Sequence, residues 1–389
     1  MDVGVIAAEV AGAVGLAEGE AGVRDVLRVV AGREPIATSE LSRAAELPVP
    51  IVTAICNELR KRGVVDRTRP VRLTPQAREL LVTGRPWLEA TCACCDGTGL
   101  AIPDELAGLA SELDAVAAGA PAARMELDQA HCDVPTKIRR VLRLLHAGAL
   151  DGRRLLLLGD DDLIAVAIAR FARLTGTATA IGRLTVIDAD PAVLRWTAEQ
   201  TAGTAVPVEL VEHDLRRPLP AGLAGGFEVA CTDPPYTVAG AELFLSRAVQ
   251  ALEARPGQHV FFSFGARRPA ETLATQRLIA GLGLVIRSVT PNFNTYVGAG
   301  ILAGTSHLYH LRTVGEPAAV PVPGEYLGPL YTADTRAEQN RPYRCAGCGA
   351  VHLIGPAAGS GWARIGDLRS AGCPACGGSV FRPMPRSAR

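Results

Sequence analysis

The sequence predicts an α/β protein: a doubly wound parallel sheet with a winged helix before it and a zinc ribbon after it. Three observations carry this expectation. Between Arg153 and Thr313, apolar runs of strand length alternate with helical stretches of about 10 to 15 residues. Residues 22–84 have the rhythm of a helix-turn-helix followed by a wing. Near the end stand two Cys-x2-Cys knuckles, Cys345/Cys348 and Cys373/Cys376, with 24 residues between them.

The first domain is expected over 1–90. GVRDVLRVVAG has apolar residues at helical spacing and ends at Gly32. Thr38 and Ser39 are expected to cap ELSRAAEL, with Glu40 in its first turn. Pro48 opens a third helix that Gly63 stops, VVDRTRPVRLT alternates around Pro70 as a wing would, and Thr74 starts PQARELL. A winged helix invites a DNA-binding reading, but residues 1–90 hold 12 basic and 12 acidic side chains. The start of the third helix, Pro48–Val52, has nothing that reads a base edge. Nucleic acid is therefore not an expected partner. Packing, dimerisation or covering an active site is the expected use, and a homodimer stays open.

Residues 91–150 read as a cysteine knuckle and helical connector. Cys92 and Cys95 precede Gly97-Thr98-Gly99, which suits a tight turn around a metal, with His131 or Cys132 as further ligands. Unliganded buried thiols are the plainer alternative. An acidic helix is expected over 104–118 and a basic one over Pro135–Ala147. The catalytic domain follows over 151–315. RRLLLL ends at Gly159, RLTVID at Asp188, PVELVE at Glu212 and FEVACT at Asp233; HVFFSFG, GLGLVIRSVTP and ILAGTSHLYHLRT complete the strands. Residues 316–340, rich in Pro and Gly, read as a linker, and 341–389 as the ribbon. Its four cysteines fill a tetrahedron, so a zinc ion there would be structural; two redox dithiols are the alternative.

Composition bounds the rest. Apolar residues make up 48% of the 389, which excludes global disorder. Forty basic residues, all arginine except Lys61 and Lys137, balance forty acidic ones, which argues against a broad nucleic-acid surface. The apolar start is broken by Glu9 and has no basic residue before Arg24, so it lacks the pattern of a signal peptide. No apolar run approaches the 18 or so residues of a membrane span. The chain reads as soluble and cytoplasmic, and its ten cysteines call for metal or burial before disulfides.

In open α/β sheets, ligands bind at the carboxyl ends of the strands. Here those ends carry Gly159-Asp160-Asp161-Asp162, Asp188 and Asp190, Glu212-His213-Asp214, and Asp233-Pro234-Pro235-Tyr236. Asp162 or Asp190 alone reads equally well as a helix cap, but a whole edge of carboxylates points to a cationic ligand. This order resembles the class I methyltransferase-like Rossmann sheet of adenosylmethionine-dependent transferases. The resemblance implies that Asp188 accepts from the ribose hydroxyls and that Asp214 lies by the adenine amine. It also implies that Asp233 and the Pro234 carbonyl hold a nucleophilic amine under the Tyr236 ring. Ordinary methyltransferases carry a glycine-rich first loop. Here GDDDL stands in its place, which suits a cosubstrate whose tail is a bare ammonium, as in decarboxylated S-adenosylmethionine.

With Asp128-Gln129, GDDDL at 159–163, DPPYT at 233–237, Gly240, LFLSR at 243–247 and Ser306-His307-Leu308-Tyr309, the chain resembles the branched-chain polyamine synthases, the bis(aminopropyl)spermidine synthase family. The resemblance covers roughly 25–315; the ribbon is extra, and the segment after Gln129 departs from the family pattern. It implies transfer of aminopropyl groups from decarboxylated S-adenosylmethionine to a polyamine nitrogen, with methylthioadenosine leaving. The cosubstrate set is then Gln129, Gly159, Asp160, Asp188 and Asp214, with Asp160 on the aminopropyl ammonium. Asp161, Asp162 and Glu212 would hold the acceptor's terminal ammoniums, and Asp233, Pro234 and Tyr236 would be catalytic. The alternatives are an adenosylmethionine-dependent N-methyl- or aminocarboxypropyltransferase and a non-enzymatic polyamine or nucleoside sensor.

Overall fold

The computed structural model describes residues 3–81, 88, 90–92, 94, 99–178, 181–298, 304–315, 320–331, 341–355, 362 and 365–384. Two compact units form. The first comprises Met1–Ala123, Ala130–Pro234 and Ala241–Tyr326; the second comprises Arg124–Gln129, Pro235–Gly240 and Leu327–Arg389. The expected boundaries at 90, 150, 315 and 340 therefore do not coincide with the compact units.

The first unit opens with five helices: α1 (Val3–Val14), α2 (Gly19–Arg33), α3 (Thr38–Ala45), α4 (Val49–Lys61) and α5 (Pro75–Leu81). Their inward faces, including Val26, Leu27, Leu41, Ile55 and Leu59, form one apolar cluster. The wing is reduced to single bridges, Ile36 to Val71 and Val65 to Leu73. Thr38 and Ser39 are not caps: Ala37 holds the cap position and makes no side-chain bond, so both lie inside the first turn. Thr74 does cap α5, its hydroxyl accepting from Ala77 N at 3.3 Å. Two further helices follow, α6 (Ala107–Ala118) and α7 (Val134–His146).

The main sheet contains β1 (Leu155–Leu158), β2 (Leu184–Asp188), β3 (Val208–Glu212), β4 (Val229–Thr232), β5 (His259–Phe264), β6 (Leu284–Thr295) and β7 (Thr305–Thr313). Their order is β3-β2-β1-β4-β5-β7-β6. Helices α8 (Ile164–Thr175), α9 (Pro191–Thr201), α10 (Val238–Ala251) and α11 (Pro269–Gly281) alternate with the strands. All four leucines of β1 are buried, as a central strand covered on both faces requires. The sheet is not wholly parallel, as the sequence suggested: β7 runs antiparallel to both β5 and β6. The physical reason lies in the connection. A parallel return needs a crossover of a dozen or more residues, usually a helix, and the connection from Thr295 to Thr305 is shorter than that.

The front helices pack on the amino ends of the parallel strands. Arg312 lies opposite His259, the first residue of β5, and binds Asp25 of α2 at 2.7 Å. Arg255 likewise binds Glu20, and Arg287 binds Glu46 at 2.9 Å. Packing is thus their use in the fold, on the edge away from the carboxyl ends of the strands. The segment read as a linker is partly fastened. The fully buried Arg247 of α10 donates to the carbonyls of Val322, Gly324 and Leu215, and Tyr326 N donates to Arg216 O.

In the second unit, β8 (Arg341–Cys345), β9 (Val351–Ile354) and β10 (Phe381–Pro383) form a small sheet in the order β10-β8-β9, accompanied by α12 (Ile365–Ala371). Its core is Cys345, Ile354, Leu368, Cys373 and Phe381. No helix among the described residues is long and apolar enough to cross a membrane.

Candidate active site

The β1 exit turns at Gly159, whose φ of 74° is a left-handed conformation that favours glycine. The three aspartates that follow meet three different fates. Asp160 is 2% exposed, and its two oxygens accept from Ile164 N and Ala165 N, capping α8. Burial pushes its carboxyl up to about 8 despite those donors. Asp161 is half-buried, and its Oδ2 accepts from Ala130 N at 3.0 Å. Burial and the neighbouring Asp162, Asp188 and Asp233 push it well above the usual carboxylate range. Asp162 is 3% exposed. Burial would raise it too, but Arg140 and Lys137 outweigh burial and hold it below the ordinary value.

At the end of β2, the Asp188 oxygens accept from Asp160 N at 2.9 Å and from Asp190 N at 2.8 Å. Burial raises its carboxyl. Asp190 is the N-cap of α9. Asp233 follows β4, and its Oδ2 accepts from Arg140 Nη2 at 2.7 Å and from Tyr296 Oη at 2.5 Å. Burial raises this carboxyl to about 6, against the pull of Arg140. A cavity of about 30 Å³ opens among Gly159, Asp160, Asp162, Asp233, Arg140 and Ser263.

The sheet edge thus brings Gly159, Asp160, Asp161, Asp162, Asp188 and Asp233 together, with Pro234 next in the chain. Three expected site residues stand differently. Both Asp160 oxygens are committed to α8, so its carboxylate is a poor first partner for a cosubstrate ammonium. Asp214 gives both oxygens to Arg216, at 2.6 Å for the closest pair, so contact with an adenine amine requires that ion pair to part. Glu212 is exposed at the end of β3. Gln129 and Tyr236 belong to the second unit. There the Gln129 carbonyl accepts from Arg124 N at 2.9 Å, closing its own turn.

Sequence reasoning missed Arg140, Tyr296 and Asn294. Arg140 of α7 is clamped between two acids, its Nη1 on Asp162 and its Nη2 on Asp233, both at 2.7 Å. Its Nε donates to Asn294 Oδ1 at 2.8 Å. Asn294 Nδ2 in turn donates to Ser306 Oγ at 2.9 Å, which lies 2.9 Å from Tyr296 Oη. A basic helix was legible in the sequence; which of its arginines turns inward was not.

Of the proposed metal sites, the Cys92/Cys95 knuckle cannot be followed, because Cys95 lies outside the described residues. Its suggested partners are engaged elsewhere. His131 places its ring nitrogens 2.6 Å from Asp161 O and 2.8 Å from Pro121 O. Burial and Asp162 push the Cys132 thiol upward, away from the thiolate a metal needs. Cys345, Cys348, Cys373 and Cys376 are different: their sulfurs lie within 4.8 Å of one another, the one such ligand group among the described residues. Cys345–Cys376 is 3.6 Å and Cys348–Cys373 is 3.7 Å. A zinc tetrahedron with arms of about 2.3 Å has edges of about 3.8 Å, so the cradle fits zinc. The Cys348 and Gly347 amides lower the Cys345 thiol to about 7, which favours thiolate. His352 Nε2 reaches Cys373 Sγ at 3.2 Å.

The chain has relatives of known family and structure. The family described as branched-chain polyamine synthase A C-terminal domain matches residues 108–319. An uncharacterized protein of Methanocaldococcus jannaschii is 30% identical over 381 residues, covering 95% of this chain and 90% of its own. An N(4)-bis(aminopropyl)spermidine synthase of Thermus thermophilus is 32% identical over 305 residues, covering 76% of this chain and 83% of its own. Among solved structures, the branched-chain polyamine synthase of Thermus thermophilus, in complex with N4-aminopropylspermidine and 5'-methylthioadenosine, matches with a TM-score of 0.54. It is 26% identical, and the match covers 85% of this chain and 97% of that one.

Proposed function

This chain belongs to the branched-chain polyamine synthase family, and from that premise we propose how its own residues carry out the reaction. The protein is an aminopropyltransferase that acts on a polyamine. The donor in this reading is decarboxylated S-adenosylmethionine, and the acceptor is spermidine at its secondary nitrogen. What most supports the reading is that Asp161, Asp162 and Asp233 gather on one sheet edge, where a polycation can be held and one of its nitrogens aimed.

The nitrogen's lone pair attacks the methylene carbon bound to the sulfonium. The new N–C bond forms as the C–S bond breaks, sulfur keeps the bonding pair, and neutral methylthioadenosine leaves. The nitrogen's surplus proton passes to Asp233. A base poised near 6 can take it at neutral pH and release it again. The Pro234 carbonyl accepts from the same nitrogen. Asp188 takes the ribose hydroxyls, and Asp214 borders the adenine once Arg216 moves aside. Glu212 with Asp161 and Asp162 receives the terminal ammoniums. In the second unit, Cys345, Cys348, Cys373 and Cys376 hold a structural zinc, which supplies no chemistry to the transfer.

The test is incubation of the purified chain with decarboxylated S-adenosylmethionine and spermidine, read by mass. One or two added aminopropyl groups with matching methylthioadenosine are expected. Methyl or aminocarboxypropyl transfer from intact S-adenosylmethionine, without aminopropyl transfer, overturns the reading.

A further inference from the structure

A carboxylate-lined site poses a chemical problem for an amine nucleophile. Secondary amines titrate near lysine, so a polyamine arrives fully protonated at pH 7. Carboxylates attract that polycation but also stabilise its ammonium groups, and an ammonium has no lone pair to attack with. The site needs one place where the charged form is disfavoured.

The structure contains such a place. Arg140 is largely enclosed, its side chain 11% exposed; it donates to Asp162 and Asp233 at 2.7 Å each and is anchored at Nε by Asn294. Its guanidinium does not deprotonate in a protein. A nitrogen hydrogen-bonded to Asp233 would share that carboxylate with Arg140. Two hydrogen bonds in series across one carboxylate place the two cationic centres about 5 Å apart. No comparable guanidinium bond falls on Asp160 or Asp161 among the described residues.

We propose that Arg140 is a positioning residue that keeps the reacting nitrogen uncharged, by holding a permanent cation on the carboxylate that receives it. The terminal nitrogens, directed to Asp161 and its surroundings, keep their protons and serve as anchors. The site thereby tells the nucleophilic nitrogen from the binding ones by local charge. Facing Arg140 are Asp162 from the loop after β1, Asp233 after β4, Tyr296 just past the end of β6 and Cys132 before α7, while Lys137 of α7 faces Asp162. Lys137 Nζ binds the Asp162 carbonyl and adds positive charge on the same side. The transfer step is unchanged: N–C forms, C–S breaks, sulfur takes the electron pair. What Arg140 alters is how much of the bound acceptor already has its lone pair exposed, and the displaced proton leaves to solvent as the complex assembles.

The inference rests on the aminopropyl-transfer reading, and the parent enzyme separates the two failures. If the parent moves no aminopropyl group to spermidine, that reading fails, whatever the variants do. With an active parent, kcat is followed against pH for Arg140→Gln, Arg140→Lys and Tyr296→Phe. The acid limb should lie about one to two pH units higher in Arg140→Gln and return toward the parental position in Arg140→Lys. Tyr296→Phe, which removes a hydrogen bond but no charge, should stay within a few tenths of a pH unit of the parent.

A second readout separates an effect on the nitrogen from one on Asp233 alone. A spermidine analogue fluorinated beside its secondary nitrogen is less basic there. The Arg140→Gln defect relative to parent should shrink at least fivefold with that acceptor at pH 7. An unchanged limb in Arg140→Gln, or an equal defect with both acceptors, overturns the proposal. If Arg140→Gln does not fold, Arg140→Lys carries the test: its softer charge contact should leave a smaller defect that also shrinks with the fluorinated acceptor, and a defect indifferent to amine basicity overturns it.

Discussion

Two regions of this chain collect like ionisable groups, and they differ in where the neutralising charge comes from. In the ribbon, four sulfurs meet within 4.8 Å, and the cation that would join their thiolates comes from solution. At the sheet edge, Asp160, Asp161, Asp162, Asp188 and Asp233 meet, and part of the countercharge is built in: Arg140 on Asp162 and Asp233, with Lys137 nearby. The first arrangement closes on its metal and can do no more than hold the fold together. The second is half neutralised, with some acids fixed as anions and others left to wait for a cationic substrate. The difference teaches what separates a structural cluster from a catalytic one when both are made of repeated acids.

The comparison can be tested first where the effect is largest. Chelation, or Cys373→Ser, should drop bound zinc from one per chain toward none and expose residues 341–384 to protease. Structural zinc contributes on the order of 10 kcal/mol in small metal-folded domains. The first unit should keep its melting transition, because its countercharge belongs to the chain. Metal analysis with limited proteolysis checks this, and a zinc-free ribbon that stays resistant would break the contrast. Next comes Asp233→Asn. Its turnover under saturating spermidine should fall about 100-fold or more, the usual cost of a lost general base. Raising the pH should restore part of it, since more acceptor then arrives deprotonated. Methylthioadenosine release follows both. Smaller again is donor choice: calorimetry should show decarboxylated S-adenosylmethionine binding about tenfold tighter than the carboxylated form, whose extra anion meets the remaining acids.

Much of this contrast was legible in the sequence. A Cys-x2-Cys turn is local, so its two knuckles announced themselves without the fold. The strand ends were also legible, because a buried run such as Leu155–Leu158 must stop where polar residues begin. What could not be read were contacts made by rotation or register. Arg140 is one of several arginines on α7, and only the packing of Val141, Leu142 and Leu144 turns it toward Asp233. Tyr296 follows a register shift between Thr290 and Asn294, so counting along β6 does not give its direction. The Pro- and Gly-rich stretch passed for a linker because composition is silent about Arg247, which takes its carbonyls as partners across some 75 residues.

The smallest effect concerns Asp160, which has neither a metal nor an arginine. Its countercharge is a proton. With its carboxyl at about 8 when folded and 3.8 as the ordinary value, the folded state holds a proton between those pH values that the unfolded chain has already released. That contribution to stability is fully present below about 4 and is lost as pH rises through about 8. The unliganded protein should therefore lose stability from pH 5 to pH 8, at some fraction of the 1.4 kcal/mol per pH unit that one whole proton would give. Asp160→Asn keeps an acceptor for the first turn of α8 but has no proton to lose. Its melting temperature should start lower at pH 5, for want of one capping bond, and then fall less steeply. Thermal melts at four pH values would show the two curves converging toward pH 8. Parallel curves would mean that Asp160 is ionised throughout, and that the cluster is neutralised by its arginine alone.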